Sequence, residues 1–300
     1  MPHAAVPIGG PAEVIDRHWT HPLVASVATA DRAVTLLSFQ TMDVASARWI
    51  TCDHVLSNPS FFMQWRITAA QRLAERHPGL LEDFTAVPEK TTAGYVMQWY
   101  LVIPTYLGAV LFHSARRVPS LAPQQLGFRL DPSAERELQE VALRPGRFWC
   151  LPDDPDAEHP DAIPVPDEAA LGAVLRREVI AHATRFLAVY DPQVRFGRRT
   201  QWATVTDVLD SGLLLAGRSF GSPQAGAADA RLVLAGGEKP LTSPSTICVV
   251  TDERGRTHWT RRRGSCCFLY ALPGIERPCA SCPRVSEAER VRIFSTLHRA

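Results

Sequence analysis

Cysteine is scarce in this chain, with only seven residues in 300. That density is far below the level of a disulfide scaffold. The N-terminal stretch has no charged segment followed by an apolar one, so the sequence does not predict secretion. We therefore expect a reducing compartment, where clustered cysteines bind metal or act in catalysis more often than they form disulfides.

An excess of charge is also missing, because the formal net charge is only +1. The whole molecule offers no field that would attract nucleic acid, so we expect no nucleic-acid partner. The sequence contains no P-loop, no G-x-S-x-G and no dinucleotide fingerprint. A content of 46% apolar and 21% charged residues is that of an ordinary soluble globular protein.

One long segment, Thr91 to Ser114, lacks Asp, Glu, Lys and Arg and is long enough to span a bilayer. It contains Gln98, Pro104 and His113, which favour a buried core helix that is bent or broken at the proline. A peripheral membrane contact remains an alternative interpretation of this segment.

Hydrophobic periodicity and cap signals predict several helices. They cover residues 28–50, a segment starting at Asn58-Pro59 and ending at His77-Pro78-Gly79, residues 168–190, residues 200–215, and a last helix that starts at the capping box Ser286-Glu289 and reaches Leu297.

Short strands are predicted near 126–132 and 140–151, the second as a hairpin that turns at Pro145-Gly146. Residues 152–167 are acidic and proline-rich, which indicates a solvated connection rather than a site. A further hairpin joins ICVVT to THWTRR and leads directly into the cysteine-rich segment. The sequence therefore predicts an α+β fold, a helix-rich body around a modest antiparallel sheet with a C-terminal cysteine-rich appendage.

Four of the seven cysteines lie within seventeen positions: Cys266, Cys267, Cys279 and Cys282. Thiolates gathered this tightly select zinc or an iron–sulfur cluster. The C-x-x-C pair fits either metal. The adjacent pair can converge only if the backbone bends there, because neighbouring side chains of an extended segment point to opposite sides. Zinc sites usually draw on looped C-x₂₋₄-C spacings, so the adjacent pair favours iron–sulfur, with zinc as the alternative.

Arginines precede the adjacent pair at Arg261, Arg262 and Arg263. Positive charge close to a cluster stabilises its reduced form and raises its potential, and it can also steer an anionic partner. These three residues are therefore candidates for docking or for tuning the potential. A solvated surface role, paired with acids such as Asp252 and Glu253, is the alternative.

The combination Arg-Arg-x-x-Cys-Cys, an apolar-aromatic run and Cys-x-x-Cys-Pro resembles the FhuF family of ferric siderophore reductases. The usual family spacing between the cysteine pairs is ten residues, whereas this chain has eleven, with Pro273-Gly274 in the loop. A weaker likeness lies upstream, where Phe196-Gly-Arg-Arg-Thr-Gln-Trp202 is similar to a Gly-x-Arg-x-x-Trp stretch of the family. The resemblance makes Arg198, Arg199 and Trp202 candidates for substrate docking.

This resemblance implies a [2Fe–2S] cluster held by Cys266, Cys267, Cys279 and Cys282, a ferric siderophore as substrate and a cytoplasmic location. No catalytic acid or base is expected, since the reaction moves one electron to iron(III). A separate electron donor is expected, because no nucleotide or flavin motif is present. A peripheral position at the inner face of the membrane remains open. Residues 1–245 would form the siderophore-docking body and 246–300 the cluster-binding segment.

Two alternatives belong to other functional classes. In the first, a zinc ion holds the same four cysteines and the protein is a non-enzymatic binding module. In the second, the protein binds siderophores without turnover. His18 and His21 lie three residues apart but have no further ligand nearby in sequence, so we interpret them as a chance grouping.

Overall fold

The computed structural model describes residues 20–43, 48–76, 87–131, 137–190, 192, 194–237, 239–272, 275 and 278–296. Within these residues the chain forms eight α-helices. They are α1 (Pro22–Ala33), α2 (Cys52–Ser57), α3 (Ser60–Arg76), α4 (Glu89–Ala115), α5 (Glu168–Val189), α6 (Arg198–Ser219), α7 (Pro223–Val233) and α8 (Glu287–Thr296).

Nine short strands form three small sheets in the described part of the chain. They are β1 (Ser38–Thr41), β2 (Ile50–Thr51), β3 (Val118–Pro119), β4 (Leu126–Leu130), β5 (Leu138–Leu143), β6 (Phe148–Cys150), β7 (Ala162–Pro164), β8 (Ile247–Thr251) and β9 (Thr257–Arg261). The sheet orders are β1-β5-β4-β2, β3-β6-β7 and β8-β9. The pairs β1-β5 and β6-β7 are parallel, and the other neighbours are antiparallel.

The molecule is α+β, as predicted, with much more helix than strand and with the four clustered cysteines towards its C-terminal end. The sheets are mixed rather than purely antiparallel, because β1 lies parallel to β5. The division of the chain at residue 245 stays a prediction.

The uncharged segment forms the central helix α4, which packs against α1, α3, α5 and α6. The prediction was a helix bent or broken at Pro104, and α4 continues through this residue without a break. By length and composition α4 could cross a membrane, but 78% of its most apolar 18-residue window is buried inside the fold. Gly212 of α6 permits this packing, since a Cβ there would lie 3.2 Å from the Cβ of Ala109. The burial supports the core-helix interpretation.

The predicted helix over residues 28–50 is wrong in its second half. Helix α1 ends at Ala33, and β1 follows at Ser38. Asp31 explains the change, because its carboxylate accepts hydrogen bonds from the Phe39 backbone N–H and from the Ser38 hydroxyl. Strand β1 then pairs with β5, an interaction distant in sequence that a local helical period cannot reveal.

The hairpin predicted at Pro145-Gly146 is also wrong. Strand β5 pairs with β1 and β4, whereas β6 belongs to the sheet with β3 and β7. The hairpin of β8 and β9 is confirmed, and so are the helices near 168–190 and 200–215. The predicted end of α3 at residues 77–79 and the reach of α8 to residue 297 lie outside the described residues.

The acidic segment 152–167 is more than a solvated connection. Asp154 and Asp156 each accept hydrogen bonds at 2.6 Å from the buried guanidinium of Arg117, which follows α4. These bonds lower the pKa of the Asp154 carboxyl below its usual value, against the opposing effect of its burial. The segment is therefore attached to the core by a buried ion pair.

A buried histidine links α4 to α5 and gives a prediction about acid stability. His182 Nδ1 donates to the Leu121 carbonyl at 2.6 Å, and its Nε2 accepts from the Tyr100 hydroxyl at 2.9 Å. Burial lowers the pKa of His182 to about 4, against about 6.5 in an unfolded chain. The neutral ring is therefore favoured in the fold, and its contribution to stability is complete above pH 6.5.

We expect this contribution to be lost as the pH falls from about 6.5 to about 4, by about 3 kcal/mol in the limit. Urea unfolding at pH 7 and at pH 4.5 would measure the loss. In His182→Gln the pH 7 stability should be lower, and the additional loss on acidification should be smaller. An unchanged acid sensitivity in this variant would show that other groups cause it.

Candidate metal centre

The four predicted cysteines lie on two loops that meet beside α6 and α8. The first loop follows β9 and carries Cys266 and Cys267, and the second precedes α8 and carries Cys279 and Cys282. The backbone bends directly after the adjacent pair, because Phe268 adopts a left-handed conformation with φ 60°. The bend turns the chain away from the two neighbouring thiols.

The thiols form two pairs, and each pair takes one member from each loop. Cys267 lies beside Cys279, and Cys266 lies beside Cys282. The interaction of the first two thiols raises the pKa of Cys267 and lowers that of Cys279 to about 5. The nearby Arg263 guanidinium favours the thiolate of both. Burial raises the pKa of Cys282.

Hydrogen-bond donors surround the sulfur atoms. The Phe268 backbone N–H donates to Cys266 Sγ at 3.4 Å, and the Arg284 N–H donates to Cys282 Sγ at 3.5 Å. The Ser281 hydroxyl lies 3.6 Å from Cys279 Sγ. Such contacts set the potential of protein-bound iron–sulfur clusters. Four converging thiols with these donors fit a binuclear cluster, in which each iron takes two sulfur ligands from the protein.

Asp207 of α6 anchors the first loop. Its carboxylate accepts hydrogen bonds from the backbone N–H groups of Gly264 and Ser265, both at 2.8 Å, and from the Ser265 hydroxyl. Arg263 Nε lies 3.7 Å from the same carboxylate. A turn further along α6, Asp210 accepts from Ser245 and Thr246, which lie before β8. The sequence reasoning missed both acids, although two carboxylates three residues apart on a buried helix are a usable signal.

Arg290 of α8 anchors the second loop and was also missed. Its side chain is only 2% exposed. The guanidinium donates to the carbonyls of Ala280, Cys282 and Val285, which surround the C-x-x-C turn. The capping box that starts α8 is confirmed, since Ser286 Oγ accepts from the Glu289 N–H and the Glu289 carboxylate accepts from the Ser286 N–H. Helix α8 therefore positions one of the two cysteine loops.

Residues 263–284 match the family model described as the FhuF 2Fe-2S C-terminal domain. This segment is similar to the FhuF [2Fe–2S] domain, and we refer to it as the FhuF-like segment. The match contains all four clustered cysteines, it agrees with the FhuF resemblance, and it supports a [2Fe–2S] cluster rather than zinc as the cofactor. No curated protein matches the chain. The match spans the eleven-residue spacer, of which Pro273 and Gly274 lie outside the described residues.

The three arginines that precede Cys266 have different surroundings. Arg262 is exposed and forms a surface ion pair with Glu287 at 2.6 Å. Arg263 is buried and donates to the Gln98 side chain of α4 at 2.8 Å. Arg261 is largely buried, and burial is the main cause of its lowered pKa. The location of Arg261 and Arg263 suits tuning of the potential, whereas Arg262 lies at the surface.

The upstream candidates lie together at the mouth of an open cavity of about 600 Å³. Arg198 and Arg199 begin α6 with exposed side chains, and Trp202 one turn later is buried in the wall. Lys239 adds a third exposed cation from the loop after α7. The other lining residues are Pro240, Leu241 and Thr242. The structure thus brings together the three residues that the resemblance indicated and adds Lys239.

Two contacts connect the surroundings of this cavity with the FhuF-like segment. Phe196, two residues before α6, packs on Phe268 with ring centroids 6.0 Å apart. At the other side, a Cβ on Gly264 would lie 3.5 Å from the Cβ of Ala203 and 4.0 Å from Thr242 Oγ1. The basic cavity and the cysteine loops therefore share one local framework.

A separate group contains His21, His159 and Asp161, whose possible ligand atoms lie within 4.8 Å of one another. His21 Nδ1 accepts from the Leu23 N–H, and His159 Nδ1 accepts from the Asp161 N–H, both at 3.1 Å. A neutral imidazole that accepts at one nitrogen carries its proton on the other. The rings are therefore in the wrong tautomer to bind a metal through Nε2, and their role is to cap backbone groups. His18 lies outside the described residues.

Proposed function

We propose that the protein is a ferric-siderophore reductase. The observation that carries this proposal is the FhuF-like segment next to an open basic cavity. When bound, the cluster supplies one electron, which is the requirement for converting iron(III) to iron(II). Siderophore oxygen donors hold iron(III) far more strongly than iron(II), so this single electron releases the metal.

The tasks that remain for the chain are to bind the complex, to orient it and to set the potential. Arg198, Arg199 and Lys239 surround the cavity mouth and would attract an anionic ferric complex. The indole of Trp202 would provide an apolar wall. A volume of about 600 Å³ lies within the range of about 300–1,000 Å³ typical of small-molecule sites. Cys266, Cys267, Cys279 and Cys282 would hold the cluster.

The proposal includes a separate electron donor, since none of the nucleotide or flavin motifs occurs in the sequence. It places the protein in the cytoplasm, where imported siderophores are reduced, and it includes no nucleic-acid partner. Burial of α4 supports its role as a core helix, so any contact with the inner face of the membrane would use another surface.

A single-turnover experiment tests the function. The protein is reduced without oxygen, freed of reductant and mixed with ferric hydroxamate, catecholate or carboxylate siderophores in the presence of a coloured ferrous chelator. We expect one chelated iron(II) for each cluster that is reoxidised. Binding without cluster oxidation would support the alternative of a siderophore-binding protein without turnover. Cluster oxidation without ferrous product would contradict both.

Neutralising the cavity mouth should slow the reaction with anionic complexes. For Arg198→Gln combined with Arg199→Gln we expect the second-order rate constant to fall about tenfold at low salt, because exposed charges steer ligands but are screened. The effect should shrink at high salt and should be small with an uncharged ferric hydroxamate. The control, Arg32→Gln with Arg231→Gln, removes the same charge from α1 and α7. An equal effect in this control would show that only net charge matters.

A further inference from the structure

A second and smaller cavity of about 230 Å³ borders the C-x-x-C turn. Its wall includes Ser281, which lies between Cys279 and Cys282. The residues of the wall that bear on its chemistry are Tyr106, Ser211, Arg218, Thr260, Arg261 and Ser281. The volume is below the range of about 300–1,000 Å³ for drug-sized ligands, so this space suits a small ion or group rather than a siderophore.

Arg261, the last residue of β9, contributes a buried cation without a full partner. Its side chain is 12% exposed, and its Nη1 atom makes no hydrogen bond within the described part of the protein. The nearest carboxylate oxygen, Asp207 Oδ1, is 3.9 Å away, which is too long for a hydrogen bond. The Asp207 carboxylate already accepts hydrogen bonds from the backbone N–H groups of Gly264 and Ser265. A buried guanidinium without a hydrogen-bonded anion carries an uncompensated charge, which a bound anion would stabilise.

Arg218 of α6 lines the same cavity and adds a second positive charge. One of its Nη atoms donates to the Trp259 carbonyl, and the residue as a whole is exposed. Burial is the main cause that lowers the pKa of both arginines, and the charge of Arg261 lowers that of Arg218 further. Two cations that repel each other thus share one small cavity.

Ser281 connects the cavity to the cysteine site. The residue belongs to the cavity wall, and its hydroxyl lies 3.6 Å from Cys279 Sγ. Its carbonyl accepts the Arg263 N–H at 3.0 Å, which ties the C-x-x-C turn to the end of β9. A hydroxyl has one proton to donate, so a ligand in the cavity would compete with the sulfur for it.

We propose that this cavity binds a small oxyanion, a phosphate or carboxylate group, held by the guanidinium groups of Arg261 and Arg218 and by the Ser281 hydroxyl. Charge-assisted bonds from arginine to such anions are strong and directional. The occupied site would act on the cluster in two ways. The anion offsets the charge of Arg261, and it removes the Ser281 hydrogen bond from Cys279.

Both effects shift the cluster potential in the same direction. Positive charge and hydrogen bonds to sulfur stabilise the more anionic reduced cluster. Oxyanion binding should therefore lower the midpoint potential and make the reduced cluster a stronger donor. This inference rests on the [2Fe–2S] cofactor and does not depend on the identity of the substrate.

The test uses holoprotein and inorganic phosphate at constant ionic strength, with chloride as the reference. We expect saturable binding of one phosphate per chain by calorimetry and a midpoint potential that falls with the same concentration dependence. In Arg261→Gln the phosphate affinity should drop at least about tenfold, because a charged hydrogen-bonding partner is lost. Ser281→Ala should lower the potential without phosphate and reduce the further shift that phosphate causes.

The control is Arg254→Gln, which removes an exposed charge at the β8-β9 turn and should leave phosphate binding unchanged. If Arg261→Gln fails to hold the cluster, Arg218→Gln serves in its place, since that side chain is exposed. The same titration with acetate and with a phosphate monoester shows whether the cavity prefers a carboxylate or an esterified phosphate to inorganic phosphate. Absence of saturable binding by all three, or binding equally weakened in the control, would overturn the proposal.

Discussion

Replacing Cys267 with alanine is expected to remove the [2Fe–2S] cluster almost completely. Cys267 and Cys279 form one of the two pairs between the cysteine loops, and their interaction favours the Cys279 thiolate. Without the Cys267 sulfur, one iron would keep a single ligand from the protein. We expect the purified variant to lose the red-brown colour, the acid-labile sulfide and the ability to form iron(II) from ferric siderophores.

The matched control is Cys248→Ala in β8, a half-buried cysteine that lies outside the group of four. It should retain two irons and two sulfides per chain and a rhombic EPR signal on reduction. The same iron and sulfide counts and the same EPR spectrum, measured on the parent protein purified without oxygen, test whether it contains the [2Fe–2S] cluster. One zinc ion per chain, without sulfide or colour, would contradict the cluster assignment and favour the alternative in which zinc holds the C-terminal segment folded. A cluster retained by Cys267→Ala would exclude this residue as a ligand.

The kind of cofactor could be predicted from the sequence because its information is local, whereas the assignment of the four cysteines as ligands stays a prediction. Four thiols in seventeen positions restrict the chemistry to zinc or iron–sulfur, and the adjacent pair favours iron–sulfur. The hairpin before them and the capping box after them are also short-range patterns, and both are present. Local signals of this kind survive folding because few distant contacts compete with them.

The supports of the site could not be predicted in the same way. Asp207 and Arg290 act on backbone groups that are far from them along the chain or lie in irregular loops. A helix pattern records which face is apolar, but it does not identify the loop that reaches a buried acid. The wrong hairpin at Pro145-Gly146 has a similar cause, since two adjacent strands joined different sheets.

The three arginines before Cys266 show that prediction from the sequence has a limit even within one short motif. Arg261, Arg262 and Arg263 are consecutive and chemically identical, yet one lines a cavity, one lies in a surface ion pair and one binds Gln98. Only Arg261 belongs to β9, and the other two follow the strand, so a single strand pattern does not place all three. The sequence indicated the charge, and only the fold assigns it to different places.

Replacing Asp207 with alanine is expected to have the second large effect, on stability and on the cluster together. The carboxylate satisfies two backbone N–H groups and one hydroxyl of the loop before Cys266, and it lies 3.7 Å from the buried guanidinium of Arg263. Breaking a buried pair by removing one partner typically costs about 3–5 kcal/mol. We expect a loss of unfolding free energy of this size and a lower yield of bound cluster.

Asp207→Asn separates the two effects because it keeps the shape and one acceptor oxygen but removes the charge. In the Asp207→Asn molecules that contain a cluster, the midpoint potential of the cluster should be raised, since a negative charge close to the cysteine loops has been lost. Asp153→Ala, at an exposed acid in the 152–167 segment, removes the same charge far from these contacts and should change neither quantity. If Asp207→Asn had the parent potential and Asp207→Ala the parent stability, the carboxylate would not anchor the cysteine loop. The geometry around Gly264 would then have to be maintained by α6 packing alone.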